Sequence, residues 1–377
     1  MMVVHAYYIE DTRVRREAEA LVAAGKQVDI ICLNKGYQPA TEHFNGVDIH
    51  RCRASRSVER SKFSYIMEYV QFVFLAFLKV SWLFLKIRPK VVMVHNMPNF
   101  LVFSALIPRL FGAKVILDMH DVMPELYANL FDIKGSKLEK LLFFEEWLSA
   151  AFASRVMTVN TVIEQILSSR IKKVSLIIHN TPDSAMLQIT QPAEKPAGEF
   201  TLFHHGNIHQ RYGLARVLPV VKKLSEQDNS YRLQVHGRGP FYDDIKAQSK
   251  TLGISEVCQL NGGFDPTSVG NMLQQADVGL VLNYTGEFSD ILLPVKLLEY
   301  VACKIPTVCP RIKAVEACFD DEMLFYFDDD EDLARVIAQI KADPAAAAQK
   351  AQKAHQRYLS MQWDTEKQRF VSFIDGF

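Results

Sequence analysis

Lys296 and Glu299 stand three residues apart in the run Leu292-Leu293-Pro294-Val295-Lys296-Leu297-Leu298-Glu299-Tyr300. That spacing puts a cation and a carboxylate on one face of a helix. Pro294 can open the helix, because a proline's missing N–H and fixed φ suit the first turn. Unpaired N–H groups and the helix dipole make such a start an anion site. Lys296 adds a mobile cation there, and Glu299 adds an acceptor for hydroxyl groups. Phosphate together with sugar hydroxyls points to a nucleotide or a nucleotide sugar. Taken alone, the pair reads equally well as a surface ion pair contributing about 0 to 1 kcal/mol.

Two glycine-rich turns tilt the balance. The strand Phe200 to His205 runs into Gly206-Asn207-Ile208-His209-Gln210-Arg211-Tyr212-Gly213, and the strand Tyr231 to Val235 runs into His236-Gly237-Arg238-Gly239-Pro240. Glycine lets backbone N–H groups approach a phosphate closely, and Arg211 and Arg238 supply positive charge. In the first half of the chain, one apolar strand ends in His95-Asn96 and the next in Asp118-Met119-His120-Asp121. Open α/β sheets bind ligands beyond the carboxyl ends of their strands. His95, Asn96, His120 and Asp121 are therefore candidates, and two such ends in one sheet favour a site over isolated structural histidines.

The elements that must hold these residues follow an alternation of strand and helix. At 377 residues the chain is long enough for two domains. Lys plus Arg and Asp plus Glu are equal at 43 each, which excludes a generally basic nucleic-acid-binding surface. The six cysteines show no zinc or CxxC spacing and suit small buried positions in a reducing compartment. The first strand (Met2 to Tyr8) is preceded by no basic-then-apolar leader, so a secretory signal is not expected. A helix over Arg13 to Ala24 and a strand over Val28 to Leu33 complete a βαβ opening without GxGxxG.

The strand at 47–53 leads into a basic segment, Arg51, Arg53, Arg56, Arg60 and Lys62 against Glu59, and then an aromatic-rich helix from Phe63 to Ile87. That composition suits a surface resting on an anionic membrane, although a helix packed on the sheet behind a solvated loop would look the same. Its apolar peak, Tyr69 to Leu78, is shorter than the about 20 residues a span needs.

Further helices are expected over Phe100 to Phe111 and Lys137 to Phe152, and strands over Arg155 to Asn160 and Val174 to Ile178. Residues 182–199, with Pro182, Pro192, Pro196 and Gly198, read as a linker. Beyond it come strands at Val257 to Gly262, Ala276 to Leu282 and Ile305 to Cys309. Helices at Glu331 to Lys341, Ala345 to Leu359 and Thr365 to Phe373 close the chain. Asp320-Asp321 and Asp328 to Asp330 read as solvated turns and helix N-terminal charge rather than metal ligands.

On these residues the chain resembles GT-B fold glycosyltransferases of family 4. The likeness runs through Asp11 to Ala18, Leu117 to Asp121, Gly206 to Gly213, Gly237 to Pro240 and, most specifically, Pro294 to Pro306. The resemblance implies an α/β protein with two Rossmann-like α/β/α domains whose parallel sheets face across a cleft. Residues 1–181 would be the acceptor-binding domain, 182–199 the linker and 200–350 the nucleotide-sugar-binding domain. Helices at 351–377 would pack back on the first domain.

The resemblance also implies sugar transfer from a nucleotide diphosphate sugar with retained anomeric configuration, without metal or other cofactor. His120, Arg211 and Lys296 would be catalytic, the last two holding the diphosphate and His120 touching the donor sugar or leaving group. Gly206, Gly237, Arg238, Gly239, Asp290, Leu293, Pro294 and Glu299 would complete the nucleotide-sugar site, Glu299 accepting from ribose hydroxyls. His95, Asn96 and Asp121 would lie on the acceptor side. The family's second glutamate, eight residues before the position of Glu299, is Ile291 here, with Asp290 the nearest acid. The implied partners are a lipid-linked or saccharide acceptor and, through residues 51–87, an anionic membrane at whose cytoplasmic face the protein would act peripherally. No nucleic acid is implied. A nucleotide-sugar epimerase and a non-catalytic nucleotide-sugar-binding subunit remain open on the same fold.

Overall fold

The computed structural model describes every residue except 55–61, 132, 192–194 and 266–267. Arg56, Glu59, Arg60 and Pro192 lie outside the described residues, as do the side chains of Lys62, Phe63 and Tyr65. The chain forms two compact units, Met1–His179 with Glu366–Phe377, and Asn180–Thr365.

In the first unit, apolar runs of the parallel kind build a sheet from β1 (Met2–Val3), with α1 (Thr12–Ala23), β2 (Val28–Leu33), β3 (Thr41–Phe44) and β4 (Val47–Cys52) following. Then come α2 (Lys62–Ile87), β5 (Val91–His95), α3 (Leu106–Leu110), β6 (Lys114–Met119), α4 (Met123–Phe131), α5 (Lys137–Phe152), β7 (Arg155–Thr158), α6 (Thr161–Ile171) and β8 (Val174–Ile177). The strand order is β3-β4-β2-β1-β5-β6-β7-β8, parallel except where β3 pairs antiparallel with β4. Central strands buried on both faces need continuous apolar runs, and Ile30, Ile31, Val94, Ile116 and Leu117 are fully buried.

Several expectations shift here. The first strand is short, because Tyr8–Glu10 forms a 3-10 turn and Asp11 caps α1 by accepting from Val14 N at 3.1 Å. β6 runs on to Met119, so Asp118 lies inside the strand opposite His95 rather than beyond its end. The helix expected over Phe100 to Phe111 divides into a 3-10 segment, Asn99–Ala105, and α3. Pro108 has no N–H to donate to the carbonyl four residues back, which disfavours one continuous α-helix. Within α2, Ile66–Ile87 is long and apolar enough to cross a membrane, correcting the shorter reading. Phe72, Ala76, Val80 and Leu83 are nevertheless buried, and the helix packs on β2 and β4, as a layer of the fold rather than a span.

The second unit repeats the alternation. β9 (Phe200–His205), α7 (Val217–Gln227), β10 (Tyr231–His236), α8 (Tyr242–Thr251), β11 (Cys258–Leu260), α9 (Val269–Leu273) and β12 (Val278–Leu280) come first. α10 (Val295–Ala302), β13 (Thr307–Pro310), α11 (Lys313–Glu316), β14 (Phe325–Phe327), α12 (Asp330–Ala342), α13 (Pro344–Leu359) and α14 (Trp363–Asp375) follow. All pairings in the order β11-β10-β9-β12-β13-β14 are parallel. Leu202, Leu233, Val235, Leu280 and Val308 on the sheet pack with Val217, Val221 and Leu224 of α7, and each such burial is worth about 1.5–3 kcal/mol. Asp329 caps α12 through Asp332 N at 2.8 Å, and Asp321 pairs with Arg311.

The segment expected as a linker belongs to this unit. Its 3-10 turn, Ser184–Leu187, packs on α9, and Thr190 N and Gln191 N both donate to Asn271 Oδ1. The tail divides too. α13 packs on α10 in the second unit, whereas residues from Glu366 onward belong to the first. There Glu366 Oε1 lies 2.7 Å from His179 Nδ1.

Candidate active site

Helix α10 delivers Lys296 and Glu299 as the spacing predicts, but Pro294 is the residue before the helix, with extended backbone (φ −67°, ψ 127°). Lys296 is held from below by His204. The Nδ1 of His204 faces Leu280 O at 3.2 Å and so carries the proton, leaving Nε2 to accept from the ammonium at 3.3 Å. Burial and then the Lys296 charge push His204 well below its ordinary pKa, so it stays neutral. Burial, only partly opposed by Glu299, lowers Lys296 to about 8.

Arg211 comes from the 3-10 turn Gln210–Tyr212 after β9. Its guanidinium donates to Tyr212 Oη at 3.2 Å and lies over the Tyr212 and Phe288 rings. Lys296 Nζ lies over the same Tyr212 ring at 5.7 Å, so the two cations converge on one aromatic side chain. The Nε of Arg211 is buried without a hydrogen-bond partner. Among the described residues neither cation forms a salt bridge with a carboxylate. Both are left short of negative charge, which a diphosphate would supply.

Glu299 is fixed differently. Its Oε2 lies 2.6 Å from His205 Nε2, and His205 Nδ1 lies 3.0 Å from the Tyr300 hydroxyl, which donates to Phe203 O at 3.1 Å. A relay of three side chains thus ties the carboxylate to the end of β9. Gly279 of β12 lacks a side chain because a Cβ would lie 2.4 Å from the Tyr300 ring.

The glycines serve packing as much as ligand approach. A Cβ on Gly237 would fall 1.9 Å from Gly206 O, and one on Gly239 would fall 2.1 Å from Ile208 O. The N–H groups of Gly206 and Gly237 are already given to His236 O and Gly262 O. Gly206, with φ +109°, does bring its backbone beside the Lys296 ammonium. Arg238 stands exposed on the neighbouring turn, beside Gly263. Leu293 is half-buried just ahead of α10. Asp290 is drawn off by Lys313 at 3.1 Å, and Ile291 is buried, so an apolar core residue fills the acid's position.

In the first unit the candidates form one buried polar cluster. Asp118 receives both Arg13 Nη2 (3.1 and 3.2 Å) and Arg13 Nε (3.3 Å), and its Oδ2 meets His95 Nδ1 at 3.0 Å and His120 Nε2 at 2.6 Å. Glu17 lies one helical turn on, 3.2 Å from Arg13. Burial would raise the Asp118 carboxyl, but Arg13 and His120 hold it well below the usual range. Burial would lower His120, but the Asp118 charge and hydrogen bond raise it, so the imidazolium persists above its ordinary range.

Asn96 Oδ1 accepts from His120 N at 2.8 Å, and its amide donates to Asp121 O at 2.7 Å. His95 is fully buried, so its place is behind Asp118 and not on a ligand surface. His120 keeps 20% of its side chain exposed and can meet a substrate. Ligand atoms of His95, Asp118 and His120 lie within 4.8 Å of one another, as in a metal site. Arg13 on both oxygens of Asp118 already supplies the positive charge an ion would bring.

Sequence reasoning missed Asp118, Arg13, Glu17, His204, His205 and Tyr212 as site members. An acid following a fully apolar strand and an Arg/Glu pair at i, i+4 were the signals available for the first three.

Residues 187–357 match the family described as "Glycosyl transferases group 1", and residues 11–173 match the "Glycosyl transferase 4-like domain". Sucrose-phosphate synthase from Thermosynechococcus elongatus shares the fold at TM-score 0.78 and 15% identity, over 100% of this chain and 98% of the other. The chain is a GT-B glycosyltransferase. HepE of Anabaena, solved in complex with UDP-glucose, is similar to this glycosyltransferase at TM-score 0.73 and 11% identity, covering 100% and 99% of the two chains. The α,α-trehalose 6-phosphate synthase of Burkholderia multivorans gives 0.72 and 12%, covering 100% and 98%. By sequence, the glycosyltransferase is 27% identical over 119 residues to WcaL of Escherichia coli (strain K12), a protein provisionally named for colanic acid biosynthesis. That match spans 31% of this chain and 29% of the relative's length.

Proposed function

We propose that this glycosyltransferase moves a hexosyl group from a nucleoside diphosphate sugar to a lipid-linked or polysaccharide acceptor, with retention, at the cytoplasmic face of a membrane it meets through residues 51–87. The observation that carries the donor class is the convergence of Arg211 and Lys296 on Tyr212, paired with no carboxylate among the described residues and partly desolvated. The bond from the anomeric carbon to the diphosphate breaks, and the pair of electrons leaves with the phosphate oxygen. Arg211 and Lys296 stabilise that growing charge. The acceptor hydroxyl bonds to the anomeric carbon from the same face and gives its proton to the departing phosphate oxygen.

Glu299, steadied by His205, accepts from the ribose hydroxyls. In the first unit, His120 is the member of its cluster that reaches a substrate, and Asp118 and Asn96 position it. The UDP and UDP-glucose complexes of similar folds support uridine nucleotides as the first donors to try. The chemistry of the WcaL name supports a polysaccharide product.

The test is release of nucleoside diphosphate from UDP-, GDP- and ADP-sugars, with and without polyprenyl-linked saccharide acceptors. Acceptor-dependent release with an α-linked product from an α-linked donor is the expected outcome. Epimerised donor in the absence of acceptor would refute it.

A further inference from the structure

The large apolar side chains that stand exposed are gathered, not scattered. Among the described residues all but Tyr37, Ile189 and Tyr284 belong to α2, to α3 with the adjoining Phe111, and to α5. On α2, Ile66, Val70, Phe74, Leu78 and Trp82 follow one another every fourth residue along one ridge. The core takes the other side, and only 28% of an apolar 18-residue stretch within Ile66–Ile87 is buried. On α5, Leu141, Phe144 and Leu148 fall at i, i+3 and i+7, beside Trp147. The crossovers β4–α2–β5 and β6–α5–β7 run in the same direction along the sheet. Right-handed connection therefore puts both helices on one side of it. The 3-10 segment Asn99–Ala105 packs against both, so the two ridges border a single surface.

The charges on these helices are sorted. Lys86 caps the Trp82 ring at 3.6 Å and Lys79 flanks it at 5.8 Å. Lys137 and Lys140 are exposed among the apolar residues of α5. The carboxylates turn away: Glu68 to His5 at 3.4 Å, Glu145 to Asn99 and Ser149, and Glu146 to Arg170. Glu139 is engaged by Gly135 N at 2.6 Å. Apolar ridges with outward lysines complement an anionic leaflet, the stems lying in the acyl boundary and the ammonium groups reaching phosphates.

We propose that α2 and α5 together form a two-helix face that lies flat in the headgroup region of an anionic lipid leaflet, with Trp82 and Trp147 at the interface. The inference rests on the reading that residues 51–87 meet a membrane, and adds α5 as a second anchor outside that stretch.

Flotation of the full chain with phosphatidylcholine vesicles, with and without phosphatidylglycerol, tests it, alongside the variant L141S/F144S/W147S. The wild type should float with the anionic vesicles and only weakly with neutral ones, and the variant should lose about tenfold or more of its bound fraction at an unchanged melting temperature. In a W82F background, bromine-labelled lipids should quench Trp147, since Trp363 is buried. If the variant floats like the wild type and Trp147 is unquenched, α5 is no anchor and the reading for residues 51–87 survives alone. Equal flotation on neutral vesicles overturns the anionic partner. If the wild type does not float at all and is a dimer that the variant dissociates, the face binds a second copy, and both membrane readings fall. Nucleotide release reports separately on glycosyl transfer.

Discussion

The two units carry their charge in opposite ways. In the first, Arg13, Glu17, His95, Asp118 and His120 neutralise one another inside the fold. In the second, Arg211 and Lys296 meet around Tyr212 and no carboxylate among the described residues pairs with either. A closed cluster is expensive to break, because removing one member leaves the others buried and uncompensated. An open pair of cations is incomplete until an anion arrives. On the function we propose, the first arrangement holds His120 in place to meet the substrate, and the second is a binding site whose missing partner is the diphosphate.

Mutations in the two units should therefore dissociate stability from catalysis. Asp118→Ala should give the largest effect, a loss of about 3–5 kcal/mol of stability, read as a lower unfolding midpoint in urea with the second unit still binding nucleotide. Lys296→Ala should do the reverse: kcat/KM for the donor falls about 10²–10³-fold while the unfolding midpoint holds or rises. Equal destabilisation by both variants would erase the distinction between the units.

The pH profile sharpens it. Lys296 is lowered to about 8, so its ammonium is present below that pH and disappears as pH rises through it. The donor kcat/KM should then fall about tenfold between pH 7 and 9, and Lys296→Arg, which cannot deprotonate, should flatten that limb. The sign for stability is opposite. The unfolded chain keeps the proton longer, so this group's contribution grows as pH rises from about 8 toward 10.5. His205→Ala should have the smallest effect, an increase of about fivefold in the donor KM with kcat retained, because it frees Glu299 without removing a cation. An unchanged KM would mean that the relay through Tyr300 has no part in donor binding.

Much of this was legible from local pattern. Val91 to His95 and Lys114 to Leu117 are apolar runs of the kind only a doubly covered parallel strand needs. Lys296 and Glu299 share a face because the helical repeat requires it. What escaped was whatever depended on partners distant in sequence. Asp118 reads as a strand-end residue until its register opposite His95 and its three bonds from Arg13, 105 residues away, are seen. Gly237 reads as a phosphate turn until its missing Cβ is found against Gly206 O. Residues 182–199 read as a linker on proline and glycine content, which cannot report that Asn271 holds Thr190 and Gln191.

The sequence by itself determined the alternation of strand and helix, the two-unit plan and the placement of cations at strand-to-helix turns. All follow from periodicity and backbone chemistry within a few residues. Only the tertiary structure decided which charges are spent inside the protein and which are left for a ligand. Pairing is a matter of distance in space, and burial sets how strongly a charge is felt.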